Sequence, residues 1–343
     1  MRAMLKGWQE RAFPAVTPSP PLQMDDDAPR RDKSVGIGVA LAALAISVFW
    51  GANIVALKAG LSAFPPSWGA FWRMGVGAII IGLWARGEGV HLWPNRDEWG
   101  GLFALGIFCF IQISLLNHGV NLTSAAYAVV LINAHPIFTN LLAHYFVPGD
   151  RVTGMRLVGL MIAFAGISFI FLGKPDAQWA PSPYWGNLIS VVSAFFVAVR
   201  SITTKRVVQK VDATRAIFWT LVISEPLFLG TALVFEPMTI APITWMPVAA
   251  LAYQGIIVAG FCFIAWTRLL RDYPPGVISV FAFPTPLFGV LFSAFVFSET
   301  LPPSFIAGAA GVIAGIIIVA RHQPRPAAEP STAGQAEPGE RAA

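Results

Sequence analysis

The chain consists of long apolar blocks separated by short polar links. Several blocks run for about 18 residues or more without a charged side chain, the length that a helix needs to cross a hydrocarbon core of roughly 30 Å. Backbone polar groups in lipid must be satisfied within their own segment, and the blocks do not alternate in segments of roughly ten residues as barrel strands do. The pattern predicts ten transmembrane helices, at 36–59, 66–86, 98–118, 122–146, 153–173, 184–208, 214–236, 244–268, 275–297 and 302–321.

The basic residues support this count because they fall almost entirely on one side. With the amino terminus in the cytoplasm, 19 of the 23 Lys and Arg residues lie in cytoplasmic segments, and only Lys174 lies in an opposite loop. An excess of Lys and Arg marks the cytoplasmic loops of membrane proteins. We therefore expect both termini in the cytoplasm, and we assign the net charge of +5 to the cytoplasmic face rather than to a nucleic-acid site.

The second half of the chain repeats the first at a nearly constant offset. Because each half has five helices, an odd number, the second half has the opposite orientation, as in the inverted repeats of many secondary transporters. The predicted organisation is a disordered cytoplasmic tail at 1–35, a first repeat at 36–173, an external linker at 174–183, a second repeat at 184–321 and a disordered cytoplasmic tail at 322–343. The recurring pairs are Phe108-Cys109-Phe110-Ile111 with Phe261-Cys262-Phe263-Ile264, His135-Pro136 with Thr285-Pro286, Phe146-Val147-x-x-Asp150 with Phe295-Val296-x-x-Glu299, and Gly159 and Gly166 with Gly308 and Gly315.

Composition narrows the classes of function. Hydrophobic residues make up 56% of the chain and charged residues 12%, whereas charged residues are about 25% of an average soluble domain. Two cysteines inside apolar blocks indicate neither a disulfide framework nor a zinc site. The sequence shows no phosphate-binding Gly-rich loop with Lys and no cluster with metal-ligand spacing, so we expect neither an enzyme nor a cofactor. The first 34 residues hold no apolar leader, and we expect no cleaved signal peptide.

A series of short motifs runs along the membrane region in a specific order. They are Phe49-Trp50-Gly51-Ala52-Asn53 followed by Lys58, then Phe71-Trp72-Arg73, Thr123-Ser124-Ala125-Ala126, Pro136, Ala265-Trp266, Pro286, and Glu299 before a glycine-rich last helix. Over about residues 36–321 this order resembles the drug/metabolite transporter superfamily, specifically its EamA-type branch. The resemblance implies an all-α integral membrane fold of ten transmembrane helices, built as two inverted five-helix repeats around a central cavity. It also implies alternating access and, often, export of amino acids or other metabolites. One departure is that the second half has no clear counterpart of Trp50-Gly51-Ala52-Asn53.

Two predicted helices are interrupted near their centres, at corresponding positions of the two halves. The interruptions are Asn133-Ala134-His135-Pro136 and Phe283-Pro284-Thr285-Pro286. Proline removes a helical hydrogen bond, and freed carbonyls in lipid must face protein or a wet cavity. Paired interruptions of this kind point to a midplane binding site, with Pro136, Pro284 and Pro286 as hinges. Alternatively, they are ordinary kinks that serve packing.

Polar and aromatic residues deep in the apolar blocks are candidate substrate ligands. In one interpretation they line a cavity, as a few polar anchors in an apolar wall. In the other, the amides hydrogen-bond across helices and the aromatic rings simply pack. The candidates are Trp50, Asn53, Gln112, Asn133, His135, Gln254, Phe263, Trp266 and Phe283.

Charged residues inside the predicted helices also have two interpretations. Burying Glu225 ionised would cost on the order of several kcal/mol, so we expect it to be protonated, paired or facing water. It serves either proton coupling or a structural role beside Pro226. Lys58 and Arg73 either snorkel or form a positive rim at the outer mouth, and Arg200 is expected to snorkel towards the cytoplasm.

Two further features are interpreted as structural. Glu299 and Asp150 lie at the openings of the last helix of each half, where acids complement the helix dipole. The spacing Gly311-x-x-x-Gly315, with Gly308, predicts close packing of the tenth helix, against the fifth.

Taken together, these features predict a secondary transporter that exports amino acids or related small metabolites by alternating access. The alternatives are a membrane sensor or scaffold of the same fold that transports nothing, and a facilitative importer or exchanger. The expected partners are a small-molecule substrate, the lipid bilayer and protons, with no nucleic acid, and the protein is a monomer or a homodimer. The resemblance places it in a bacterial inner membrane.

Overall fold

The computed structural model describes residues 37–146, 154–173, 175, 178–237, 244–272, 284–299 and 301–321. Every regular element within these ranges is a helix. The helices are α1 Ile37–Gly60, α2 Pro66–Gly87, α3 Trp99–Leu122, α4 Ala125–Ile132, α5 His135–Phe146, α6 Gly154–Leu172, α7 Pro183–Val207, α8 Ala213–Phe235, α9 Trp245–Ala252, a π-helical segment Tyr253–Cys262, α10 Phe263–Asp272, α11 Thr285–Phe297 and α12 Pro303–Arg321.

Seven helical stretches among the described residues are long and apolar enough to cross a membrane. Their outer faces carry large apolar side chains, and Leu172, for example, is 74% exposed. Three further apolar helices are shorter, at Ala125–Thr139, Thr285–Phe297 and Pro303–Ile318. The predicted count of ten spans therefore stays a prediction. The seven stretches are Leu41–Gly60, Pro66–Gly87, Trp99–Leu122, Gly154–Leu172, Pro183–Val207, Ala213–Phe235 and Trp245–Trp266.

The prolines at the two predicted interruptions lie at the beginnings of helices. α4 ends at Ile132, a turn covers Asn133 and Ala134, and Pro136 is the second residue of α5. Pro284 directly precedes α11, and Pro286 is the second residue of that helix. The first turn of a helix tolerates proline because its N–H groups have no partner within the helix. The predicted ninth helix began at 275, and residues 275–283 lie outside the described residues.

The predicted eighth helix, at 244–268, has three parts in the structure. α9 leads directly into the π-helical segment, which continues into α10. An added Cβ at Gly255 would lie 2.8 Å from the side chain of Val76, and one at Gly260 would lie 2.8 Å from Ile80. The segment therefore packs closely along α2. Short π-helical turns are common at functional sites, and this segment carries Gln254, one of the candidate ligands.

Two carboxylates from the second half of the chain, Glu299 buried and Glu236 partly buried, bind the first turns of helices in the first half. Glu236 accepts hydrogen bonds from Ser67 N at 2.8 Å and from Trp68 N at 3.2 Å, at the start of α2. Glu299 accepts from Ala125 N at 3.2 Å and from Ala126 N at 3.4 Å, at the start of α4. An anion at a helix amino terminus complements the helix dipole.

The prediction for Glu299 was therefore right about the type of interaction and wrong about the helix. Glu299 complements the dipole of α4, which lies far from it in sequence, rather than that of the helix it precedes. Helix α12 begins only at Pro303, so the carboxylate is free to reach across to another element. Asp150, the corresponding acid of the first half, lies outside the described residues.

Glycines allow α6 and α12 to pack with their backbones in contact. An added Cβ at Gly166 would lie 2.6 Å from both Gly308 O and Val312 N, and one at Gly315 would lie 2.5 Å from Gly159 O. Small residues at such interfaces permit close backbone approach in membranes. The predicted packing of the tenth helix against the fifth is confirmed.

A side chain at Gly166 should loosen this pair of helices. We expect Gly166→Ala to lower the free energy of unfolding by about 1–3 kcal/mol, because the new methyl group meets backbone that cannot rotate away. The measurement is thermal unfolding of the detergent-purified protein. The matched control is Gly230→Ala in α8, where an added Cβ meets nothing within 4 Å and the higher helix propensity of Ala stabilises by up to about 1 kcal/mol. Equal melting temperatures for the two variants would contradict the prediction.

Candidate functional site

Gly51 brings α1 into backbone contact with the start of α11. An added Cβ at Gly51 would lie 2.8 Å from Thr285 O and 2.9 Å from Gly289 N. This contact gives a physical reason for the glycine in the Trp50-Gly51-Ala52-Asn53 motif. On the same helix, the Trp50 ring packs on Trp266 of α10, with 4.7 Å between the ring centroids. The motif therefore joins α1 to two elements of the second half of the chain.

The π-helical segment also binds α1. Tyr253 donates its hydroxyl to the carbonyl of Phe49 at 2.8 Å. The next residue, Gln254, is buried, and its side chain reaches α2 instead. The sequence analysis selected Gln254 and missed Tyr253. The only sequence feature that could have identified Tyr253 is its hydroxyl group at the edge of an apolar block.

A buried guanidinium joins α2, α3 and the π-helical segment. Arg73 is 3% exposed. It donates from Nη1 to Gln254 Oε1 at 3.0 Å and from Nη2 to Asn117 Oδ1 at 3.3 Å. Asn117 is itself held, because its Nδ2 donates to Pro66 O at 2.8 Å. Arg73 therefore lies inside the bundle, and both of its side-chain partners are neutral amides.

Lys58 closes the end of α3. Its ammonium donates to the carbonyls of Val120 at 2.8 Å, Asn121 at 3.2 Å and Thr123 at 2.8 Å. The last carbonyls of a helix have no partner within the helix, and a cation there also complements the dipole. The ammonium of Lys58 therefore binds backbone carbonyls and is not directed into solvent.

A small pocket opens where α1 ends and α2 begins. It is lined mainly by apolar side chains, including Leu57, Phe64 and Leu251. Gln254 is among the residues that line it, and Gln254 also accepts the hydrogen bond from Arg73. The pocket therefore reaches the amide side chain that also binds the buried guanidinium.

Arg200 of α7 points into the bundle. Its Nη1 donates to Cys109 Sγ at 3.6 Å, and its Cζ lies 6.0 Å from the centroid of the Phe263 ring. Arg200 also interacts electrostatically with Arg73 and with His135. Side chains on a helix point back towards its amino terminus, which directs this guanidinium away from the nearer end of α7. The expectation that Arg200 snorkels to that end is wrong.

Three of the predicted ligands carry a buried polar atom that makes no hydrogen bond to any described group of the protein. They are Asn53 Oδ1, Gln112 Oε1 and His135 Nδ1. Gln112 is otherwise held in place, because Ser193 Oγ donates to its backbone carbonyl at 2.9 Å. Asn133 differs from this group, since its Nδ2 donates to Val129 O at 2.7 Å and caps the end of α4.

Glu225 of α8 lies against α2. Both of its carboxyl oxygens are buried and make no hydrogen bond among the described residues. An added Cβ at Gly75 would lie 3.2 Å from Oε1. The glycine thus provides the space that the carboxyl group occupies, and no described cation pairs with it.

The structure brings most of the predicted site residues to the interior of the bundle. Phe283 lies outside the described residues. Sequence reasoning missed Asn117, Ser193 and Tyr253, which are single polar residues with no motif around them. It noticed Arg200 by its charge but interpreted it as able to snorkel, because spacing alone does not show which way a long side chain points.

The sequence matches the EamA-like transporter family over residues 37–172 and again over 184–321. Among similar proteins, the uncharacterized transporter YoaV of Bacillus subtilis is 22% identical over 82% of this chain and 96% of its own length. A probable amino-acid metabolite efflux pump of Salmonella typhimurium is 24% identical, over 80% of this chain and 92% of its own. A probable terminal-alkyne amino-acid exporter of Streptantibioticus cattleyicolor is 26% identical, over 84% and 95%.

A solved crystal structure shares the fold. It is 18% identical in sequence, superposes with a TM-score of 0.60, and the match covers 81% of this chain and 95% of that one. The family match covers most of the residues described above, including every helix that contributes to the site. The chain therefore belongs to the EamA-like transporter family and is an integral membrane protein.

Proposed function

We propose that the protein is a secondary carrier that exports amino acids or related small metabolites by alternating access. The proposed interior site comprises Asn53, Gln112 and His135, together with Arg73 and Arg200. Two relatives named for amino-acid efflux or export support this class of substrate. The proposed architecture is two five-helix repeats of opposite orientation, at 36–173 and 184–321. Both termini lie in the cytoplasm of a bacterial cell, and the membrane is the inner one.

The observation that carries the proposal is the set of unpaired polar atoms on Asn53, Gln112 and His135. A buried polar group without a hydrogen bond costs about 1–3 kcal/mol. A scaffold of the same fold has no reason to retain three of them in its interior. A carrier has one, because water and substrate satisfy such groups in turn.

The helix beginnings at Pro136, Pro284 and Pro286 are the proposed hinges. Helices α4 and α11 pack directly against each other, since an added Cβ at Gly289 would meet the side chain of Val129. A break next to each of these helices lets the segment beyond it tilt without breaking helical hydrogen bonds. Hinges are residues at element ends that absorb such backbone changes.

The first test is flux in proteoliposomes across amino acids, nucleosides, sugars and organic anions and cations. We expect at least one class to be transported and Gln112→Ala to reduce its flux about tenfold, since a buried hydrogen-bonding group is worth about 1–3 kcal/mol. The control is Ser168→Ala on the exposed face of α6, whose hydroxyl bonds only its own helix. A folded protein that moved no compound of the panel would contradict the proposal.

Thiol accessibility separates the carrier from the scaffold directly. The variants Asn53→Cys and Gln112→Cys are made in a background with Cys109→Ala and Cys262→Ala. We expect both to react with a membrane-impermeant thiol reagent, because water enters the central cavity of a carrier. The matched control is Ala163→Cys, in the close contact between α6 and α12, which should stay unreactive. If the central cysteines are as inert as the control, the interior is dry and the scaffold is favoured.

We also propose that Glu225 carries the coupling proton. A buried carboxylate at membrane depth is costly and commonly marks a proton pathway, and no described cation pairs with this one. We expect Glu225→Gln to abolish accumulation driven by an imposed proton gradient while substrate exchange across the membrane continues. The comparison variant is Glu88→Gln, beyond the end of α2. Retained gradient-driven accumulation in Glu225→Gln would assign the residue to structure alone, beside Pro226.

A further inference from the structure

The interior site carries two positive charges, and no negative charge is bound to them among the described residues. Among the described residues, four carboxylates near the bundle ends have other partners, and the buried carboxyl group of Glu225 makes no hydrogen bond to either arginine. Glu98 pairs with Arg215 at 2.9 Å. Glu236 and Glu299 cap α2 and α4, and Asp212 caps α8. Arg73 and Arg200 therefore have no carboxylate partner within the described part of the chain.

Arg73 is held ready for a ligand. Asn117 and Gln254 fix both of its Nη atoms through hydrogen bonds to neutral amide oxygens. These amides orient the guanidinium plane, and they leave its charge uncompensated. The Nε atom is buried and makes no hydrogen bond to a described group. A guanidinium whose rotamer is already fixed loses less entropy when it binds an anion.

Arg200 has weaker partners still. Among the described residues, its guanidinium contacts a thiol at 3.6 Å and an aromatic ring at 6.0 Å. For this partly buried guanidinium, such contacts gain less than the removal of the charge from water costs. The electrostatic interaction of Arg200 with Arg73 adds repulsion between like charges.

We propose that the interior site binds a small metabolite with a net negative charge, whose carboxylate is held by Arg73 and Arg200. This inference rests on the proposed function and specifies the charge of its substrate. A carboxylate matches the fork of N–H groups that a guanidinium presents. It also neutralises the positive charge of the two arginines, which their amide and thiol partners do not neutralise. A cationic substrate would bring a third positive charge next to two others.

The other groups of the site suit the remainder of such a molecule. The paired rings of Trp50 and Trp266 offer an apolar wall. The unpaired oxygens of Asn53 and Gln112 are acceptors, and they would bind hydroxyl or N–H donors on the substrate. The site thus fits an organic acid with an uncharged polar body better than a polyanion, since acceptors would repel further negative charge.

The test uses pairs of compounds that differ in charge and hardly in shape. Glutamate and glutamine, aspartate and asparagine, and succinate and succinamide are each compared for flux in proteoliposomes and for thermal stabilisation, with lysine and putrescine as cations. Because ligands that bind the native state raise its melting temperature, stabilisation reports binding without transport. We expect the acid of at least one pair to bind about tenfold or more tightly than its amide, as for a hydrogen bond to a charged group.

Substitutions assign the preference to the two arginines. We expect Arg73→Gln and Arg200→Gln to abolish the difference between acid and amide, and Arg200→Lys to retain part of it. Without ligand, Arg200→Gln should melt at the same temperature as the wild type or higher, because it removes a partly buried charge that has no carboxylate partner among the described residues. The matched control is Arg86→Gln, on an exposed side chain near the end of α2, which should leave the preference unchanged.

The outcomes separate this inference from the proposed function. Transport of an amide or a cation in preference to the acids would overturn the inference and leave the carrier standing. Stabilisation by an acid that depends on the arginines, without flux of any compound, would support the anion site and count against transport. If no acid stabilises the protein more than its amide does, or if Arg86→Gln removes the preference as fully as Arg200→Gln, the arginines do not form the site.

Discussion

Lipid offers no hydrogen bonds, so every polar group of this chain at membrane depth has to find its partner within the protein. The first consequence is at the helix ends, where four N–H groups or four carbonyls have no partner within the helix. Glu236 and Glu299 satisfy N–H groups of α2 and α4, and Lys58 satisfies carbonyls of α3. Three charged side chains are thereby committed to backbone, and the short links between helices can lie close to the bundle.

The same constraint makes the exceptions informative. Some polar atoms have no partner among the described residues. They include those of Asn53, Gln112 and His135, and the carboxyl group of Glu225. The uncompensated guanidinium of Arg200 lies in the same interior. Unpaired groups of this kind are expensive in a structure that otherwise pairs its polar atoms, and proteins retain them mainly where function uses them.

Much of the fold could be predicted from the sequence because lipid makes the sequence signal strong. A helix in a membrane needs an uninterrupted apolar run, and the predicted spans at 66–86 and 98–118 agree with α2 and α3 to within a few residues. The close contact of α6 with α12 was predictable for a similar reason, since glycines spaced as Gly311-x-x-x-Gly315 have few uses in a membrane helix. The π-helical segment was not predictable, because no local pattern marks it, and its close packing of Gly255 against Val76 involves another helix.

Side-chain direction limited the prediction of the site. Gln112, Gln254 and His135 were identified because a polar residue in an apolar block must lie inside the protein. Charged residues are different, since a long side chain near a helix end can either snorkel or turn inward, and spacing does not distinguish the two. Arg200 turns inward because Cys109 and Phe263 surround its guanidinium, and both belong to other helices. Glu299 likewise binds a helix more than 170 residues away in the chain.

These pairings also bear on how a carrier of this construction would open. At the end where α2 begins, Glu236 and Glu299 connect the stretch that matches the family at 184–321 to the one at 37–172. At the other end, Arg215 binds Glu98 at 2.9 Å, and Trp219 donates to Leu92 O at 2.7 Å. The bonds to the carboxylates are charge-assisted and contribute about 1.5–3 kcal/mol each, whereas the neutral bond of Trp219 contributes about 0.5–1.5 kcal/mol.

Opening either end therefore requires breaking a comparable set of bonds between the same two stretches. Alternating access depends on such a balance, because a carrier whose two open states differ greatly in free energy would remain in one of them. A substrate can shift the equilibrium only by the difference in its affinity for the two states, which is of the order of a few kcal/mol. In a carrier of the proposed kind, matched contacts at the two ends would keep the difference between the open states within that range, so that binding at the centre would decide which end opens.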